Sequence, residues 1–127
     1  MAVTFTHNTP ILPVADVTAT QAYYRDVLGF AVDWRERDLF GAVSCGDISL
    51  FFAKSEDPVH RVTCVLNTVD ADAIYDIYVG RGAKIVEPIA TQPWGMREFT
   101  VEDINGHLLR IGHVDESSAN YGAFEHG

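Results

Sequence analysis

Basic residues are scarce in this chain. Nine Lys and Arg stand against eighteen Asp and Glu, for a formal net charge of −9. Nucleic-acid binding depends on neutralising phosphates with Lys and Arg, so no nucleic-acid partner is expected. An acidic surface steers cationic ligands toward itself instead, although acidity also serves solubility alone. Long apolar runs are missing too. None approaches the roughly 18 residues a span requires, and the N-terminus lacks the basic-then-apolar layout of a leader. No membrane partner and a cytoplasmic location are therefore expected. Cysteine is nearly absent: Cys45 and Cys64 fall in expected strands without metal-type or redox-type spacing, and are read as reduced and packed. No His-Glu-x-x-His, phosphate-binding loop or nucleophile elbow occurs. Ser44 and Ser49 have no recognisable base partner in the sequence. Nucleophilic catalysis is unsupported, so no catalytic residue and no cofactor is assigned.

What the chain does have is enough apolar residues for one domain. At 127 residues and 47% hydrophobic content it can bury a core without disulfide staples. A strand is expected over 9–14, at an edge or crossing between subunits, because Pro10 and Pro13 cannot donate to a ladder. Thr18 and Gln21 match a capping box, and Ala19, Ala22, Tyr23 and Val27 share one helical face. Gly29 ends that helix, and strands follow over 30–35, 39–45 and 48–53. Pro58 marks a boundary, after which the pattern restarts. A strand over 59–67 precedes a helix capped by Asp70 or Asp72, with Ala71, Ile74, Tyr75 and Tyr78 on its buried face. Gly82 ends it, a strand follows over 83–87, and a loop runs over 88–94.

Residues 92–111, QPWGMREFTVEDINGHLLRI, close the second half. Trp94 lies between Pro93 and Gly95, neither of which continues a helix or central strand, so the indole is expected on a loop. Arg97, Phe99 and Val101 then alternate with Met96, Glu98 and Thr100, the period of a strand. Asn105-Gly106 makes a turn, matched in the first half by Gly46-Asp47, and 107–111 is the last strand. Each half thus reads strand, helix, three strands: an α+β fold of two βαβββ repeats, about 9–55 and 59–112, forming a curved mixed sheet with a concave cleft and the helices outside. A polar tail over 113–127 is either disordered or a loose cover.

These residues resemble the vicinal oxygen chelate superfamily, which includes glyoxalase I, extradiol dioxygenases and bleomycin-resistance proteins. Val14-Ala15-Asp16, Ala22-Tyr23-Tyr24-Arg25 and Leu28-Gly29-Phe30 look like its first helix and exit. Thr9 to Pro13, Gly46 to Phe51 and above all Gln92-Pro93-Trp94-Gly95-Met96-Arg97-Glu98-Phe99 look like the bleomycin-binding branch, and the likeness covers about 9–113. It implies a homodimer with clefts at the subunit interface, an N-terminal arm exchanged next to Pro10, and a bleomycin-like ligand with planar rings and a cationic tail. In the superfamily's enzymes three strand positions carry the ligands of a divalent metal. By motif these fall on Thr9, on Arg61 or next to it beside His60, and on Arg110. A guanidinium has no lone pair to offer, so no metal site is assigned. An unorthodox set around His7 and His60 is the route left to a glyoxalase-type or dioxygenase-type metalloenzyme. His107 and His113 are read as rim residues at a turn and a strand end, and His126 lies in the tail.

Within such a cleft Trp94 is the first choice for stacking on a planar ring. Phe40 is the second, with Leu39 as the alternative and a core role open. Trp34 is exposed or packed in its strand. Phe51 and Phe52 must point to opposite faces, and Phe52 is assigned to the cleft. Asp33, Glu36 and Asp38 are candidates for a cationic tail. Arg97 and Arg110 contact acidic or carbonyl groups, or pair structurally with Glu98 and Glu102. The reading is a non-catalytic protein that captures a bleomycin-type antibiotic; the alternatives are another aromatic or cationic ligand, or the metalloenzyme.

Overall fold

Two prolines decide where the first strand lies. The computed structural model describes residues 2–57 and 60–117. Strand β1 (Ile11–Val14) runs along the edge of a four-stranded sheet, where Pro13 needs no ladder partner on its outer side. The chain divides into two compact units, Met1–His60 and Arg61–Gly127.

In the first unit, helix α1 (Val17–Asp26) is followed by β2 (Ala31–Glu36), β3 (Phe40–Cys45) and β4 (Ile48–Lys54). The sheet order is β1-β4-β3-β2, with β1 parallel to β4 and the other pairs antiparallel. The second unit repeats this with β5 (Thr63–Asn67), α2 (Ala71–Gly80), β6 (Lys84–Thr91), β7 (Met96–Glu102) and β8 (Leu108–Val114). Its order is β5-β8-β7-β6, again with one parallel pair, β5 and β8. The same order in both halves is the expected βαβββ repeat, built as two four-stranded mixed sheets. Gly29 and Gly82 follow their helices at φ 80° and 77°, a left-handed backbone that glycine adopts without a Cβ penalty.

Each helix covers one face of its own sheet. Leu12, Val14, Leu50 and Phe52 are buried beneath α1, with Tyr24 4.9 Å from Phe52 between ring centroids. Beneath α2, Phe99 meets Tyr75 at 5.1 Å and Tyr78 at 6.1 Å. The side chains between these, at alternate positions along each strand, occupy the helix-free face.

Several expectations are corrected. The cap of α1 is Asp16, whose carboxylate accepts the Ala19 N–H at 2.8 Å; the Thr18 hydroxyl donates to Asp38 instead. The helix therefore starts earlier, and its buried face is Val17, Thr20, Gln21 and Tyr24, not Ala19, Ala22, Tyr23 and Val27. Gln21 is buried because its amide donates to the Trp34 and Ala42 carbonyls at 2.9 and 3.1 Å. Asp70 caps α2, with Ala71 and Tyr78 buried. Strand β6 runs on through Pro88 to Thr91, where a loop was expected, its ladder shifted between Glu87 and Ala90. Cys45 is exposed rather than packed, whereas Cys64 is buried and burial pushes its thiol pKa up. Residues 113 and 114 belong to β8, not to the tail. Pro58, Val59 and the rest of the expected tail from 118, including His126, lie outside the described residues.

Candidate functional site

The turn before β7 displays an indole. Gln92 N–H donates to the Met96 carbonyl at 2.7 Å and Gly95 N–H to the Gln92 carbonyl at 3.0 Å, closing a tight bend around Trp94. Asp115 N–H donates to the Gly95 carbonyl at 2.8 Å, which ties the bend to the residue after β8. Trp94 is left 38% exposed. Its ring stands over an open hollow of about 440 Å³ lined by Val65, Trp94, Met96, Glu98 and Arg110.

Three strands furnish the floor of this hollow on the helix-free face of their sheet. Val65 on β5 lies opposite Arg110 on β8, and Arg110 lies opposite Thr100 on β7. The Arg110 guanidinium donates to Glu98 Oε1 through Nη2 at 2.7 Å and through Nε at 3.1 Å. Its central carbon lies 5.4 Å from the Trp94 ring centroid, within cation–π range. The Glu98 side chain is only 8% exposed and that of Arg110 38%. A buried carboxylate is costly unless it is paired and hydrogen-bonded, so Arg110 is what allows Glu98 to be there. Gly112 faces Glu98 across the ladder, and a Cβ at that glycine would lie 2.7 Å from the Glu98 Cβ. It would also lie 2.9 Å from the Arg97 carbonyl oxygen, so any larger residue would push β7 and β8 apart at Glu98.

The first unit carries an aromatic cluster on its own helix-free face. Trp34 lies 5.3 Å from Phe40 and 5.2 Å from Phe51, and Phe40 lies 5.6 Å from Phe51. Trp34 and Phe40 are thus brought together as expected, but the third ring is Phe51. Phe52 is fully buried under α1, which corrects its assignment to the cleft. Asp33 and Glu36 are exposed on the same strand as Trp34; the Asp33 carboxylate accepts from the Ser44 hydroxyl at 2.9 Å. Asp38 is elsewhere. It accepts from the backbone N–H and hydroxyl of Thr18 at 2.8 Å each, with Lys54 at 3.7 Å. The Thr18 bonds hold its carboxyl below the usual range, so Asp38 anchors the start of α1 and is not free for a ligand tail.

Arg97 pairs with neither Glu98 nor Glu102. It faces α2 and grips Asp72 with bonds of 2.8 to 3.0 Å, holding that carboxyl below its ordinary value. Glu102 pairs with Arg61 at 2.8 Å and with Lys84.

The positions at which superfamily enzymes place metal ligands do not fit a divalent cation. Thr9 offers a neutral hydroxyl, Arg61 donates to the Gly106 carbonyl and Glu102, and Arg110 donates to Glu98. Both guanidiniums repel a cation and supply no lone pair. The carboxylate in the hollow, Glu98, is already held by Arg110. Among the described residues no three His, Cys, Asp or Glu converge as a metal site. His7 contacts the Thr6 hydroxyl at 3.1 Å and His60 is exposed. His107, expected at the rim, is fully buried and accepts the Val62 N–H at 3.0 Å, and His113 accepts the Ala71 N–H at the start of α2 at 2.9 Å. Both are structural acceptors.

Sequence reasoning named Glu98 as a partner for Arg110, as found, but not as part of a ligand-facing floor; it missed Met96 and Val65, and it set Phe52 rather than Phe51 in the cleft. The alternation of 96, 98 and 100 against 97, 99 and 101 carried the signal for Glu98 and Met96.

Residues 4–111 match the family described as Glyoxalase/Bleomycin resistance protein/Dioxygenase superfamily. No curated protein matches the sequence. The structure is similar to the bleomycin-binding protein of bleomycin-producing Streptomyces verticillus in complex with copper(II)-bleomycin, with a TM-score of 0.78 and 25% identity over 90% of this chain and 100% of that one. It is similar to the bleomycin resistance determinant encoded on transposon Tn5, with a TM-score of 0.76 and 27% identity over 88% and 99%. TioX from Micromonospora sp. ML1 shares the fold, with a TM-score of 0.78 and 20% identity over 87% and 99%.

Proposed function

Since the chain belongs to the glyoxalase/bleomycin resistance protein/dioxygenase superfamily, we propose that it is a non-catalytic binding protein that sequesters a bleomycin-type antibiotic and so confers resistance. One observation carries the reading: Trp94 is presented over a hollow whose floor holds Arg110 where an enzyme of the family would need a metal ligand. Structural similarity at 25% identity to a bleomycin-binding protein and at 27% to a bleomycin resistance determinant supports it. Planar heteroaromatic rings stack on Trp94, and the Trp34, Phe40 and Phe51 cluster offers a second aromatic surface. Asp33 and Glu36, exposed beside Trp34, attract a cationic tail, and the net charge of −9 raises its encounter rate.

The protein acts in the cytoplasm as a homodimer of single-domain chains, with the N-terminal arm exchanged between subunits. Val3 and Phe5 in that arm are 81% and 86% exposed, apolar side chains that a second subunit would take out of water. No helix among the described residues is long and apolar enough to cross a membrane.

Capture without turnover needs only affinity. A sub-micromolar dissociation constant corresponds to about −8 kcal/mol or better, within reach of two stacked rings plus a partly desolvated ion pair. Calorimetric titration with bleomycin, metal-free and copper-loaded, tests the role. Saturable sub-micromolar binding of one drug per subunit is expected. Heats no larger than those given by simple planar cations would reject bleomycin as the ligand class.

A further inference from the structure

The hollow beneath Trp94 is electrically balanced, although the chain around it is strongly acidic. Glu98 and Arg110 neutralise one another at 2.7 Å, and the Arg110 guanidinium faces the indole ring. A ligand cation entering here would gain from Glu98 and lose to Arg110, and a carboxylate would meet the reverse. Neither recovers what it loses in hydration. The pair nevertheless leaves hydrogen-bonding capacity on both signs. Both Arg110 bonds end on Oε1 of Glu98, so Oε2 accepts neither of them, and Nη1 of Arg110 takes no part in the pair. Trp94 at 38% exposure and Val65 at 62% retain open apolar surface for a ring.

We infer that the Glu98–Arg110 pair makes this hollow selective for an uncharged planar group with both a donor and an acceptor, such as an aromatic carboxamide, over the same ring bearing a cation or a carboxylate. This selectivity presupposes the binding role proposed above, and names the part of a ligand that docks under Trp94. The amide N–H finds the Glu98 carboxylate, the amide carbonyl finds Arg110, and the ring lies against the indole. The cationic portion of any ligand is held outside this hollow.

The test uses three probes of one shape: 2-naphthamide, 2-naphthoate and 2-naphthylmethylammonium. Each is titrated at millimolar concentration into the intact protein while the Trp94 indole N–H resonance is followed, assigned with a Trp34→Phe variant. The amide is expected to bind about fivefold or more tightly than either ion, the scale of one near-surface charge interaction. Glu98→Gln leaves Arg110 unopposed and should move 2-naphthoate to the top of the order. The wild-type ranking stands as a test even if that variant fails to fold. An ion ranked above the amide in the wild type, an order unchanged in a folded Glu98→Gln variant, or no shift of the Trp94 resonance with any probe would overturn the inference. Tight bleomycin binding alongside a failed ranking removes this selectivity alone; a correct ranking without bleomycin binding removes the drug and keeps the selectivity.

Discussion

Replacing Arg110 by Met isolates what the ion pair does for the fold. Met keeps most of the apolar stem of Arg, so the loss is chiefly charge and two hydrogen bonds. The partner left behind, Glu98, has a side chain only 8% exposed. Breaking a buried pair from one side costs about 3–5 kcal/mol, mainly because a charge is stranded. Arg110 is itself 38% exposed, so part of the attraction is already screened, and about 2–3 kcal/mol is the better expectation here. Glu98→Gln strands no buried charge, since Arg110 reaches water, and should cost about 1 kcal/mol. The double variant should therefore be about 1–2 kcal/mol more stable than Arg110→Met alone, a coupling that a mere sum of two losses cannot give. Urea unfolding in a Trp34→Phe background, followed by Trp94 fluorescence, reads the second unit directly. With slopes of about 1–3 kcal/mol per molar urea, Arg110→Met should lower the midpoint by about 1 M or more. A midpoint within experimental error of the parent, or a double variant no more stable than Arg110→Met, would show that the pair does not hold Glu98 in place.

Trp94→Ala should weaken bleomycin binding at least about tenfold, roughly 1.4 kcal/mol, with an unchanged circular dichroism spectrum, because the indole is 38% exposed on a turn; an unaltered titration would reject its stacking role. Phe52→Ala should cost about 3–5 kcal/mol in thermal or urea unfolding, whereas Phe51→Ala on the opposite face should cost markedly less and act on ligand binding; equal losses would contradict the assignment of faces. Asp72→Asn tests the Arg97 pair by pH. The Asp72 carboxyl is held below its unfolded value, so its contribution is present above the unfolded pKa of about 4 and disappears as pH falls through the folded pKa. Asp72 is nearly half exposed, so wild type should exceed the variant by only about 0.5 kcal/mol near neutrality, with the two converging in acid; a gap that widened in acid would refute the pairing.

How far the sequence reached depended on which physical signal each element left. The repeat was legible because two glycines at positive φ end two helices at matching places, and because turns punctuate the strands. Helix faces were less so: moving the cap from Thr18 to Asp16 rotated the buried side of α1 onto Thr20, Gln21 and Tyr24. Gln21 reads as a capping residue in sequence, yet its amide satisfies the carbonyls of Trp34 and Ala42 on two different strands, a long-range contact no local pattern reports. Phe51 and Phe52 were known to oppose one another, but only the ladder decides which is inside, since a shift of one residue exchanges them.

The hollow under Trp94 shows where reading along the chain and reading across the sheet part company. Arg110 stood out in sequence as a residue that cannot ligate a metal, which tells what the site is not. Glu98 was one of two carboxylates the sequence offered that arginine, and the register alone does not choose between them, since it sets Thr100 directly opposite Arg110. Glu98 is one step along the same face, a diagonal neighbour that only a long side chain reaches. The residue that does face Glu98 is Gly112, where any Cβ would crowd the Glu98 Cβ and the Arg97 carbonyl, so the close approach of the two strands at Glu98 depends on glycine. Arg110 and Glu98 are therefore informative together in a way neither is alone. A lone arginine under the indole would favour anions, a lone glutamate would favour cations, and the two joined across β7 and β8 make the floor neutral while leaving donors and acceptors in reach. On the function proposed above, a strongly acidic chain would by that means draw a cationic ligand with its surface and still dock an uncharged ring beneath Trp94.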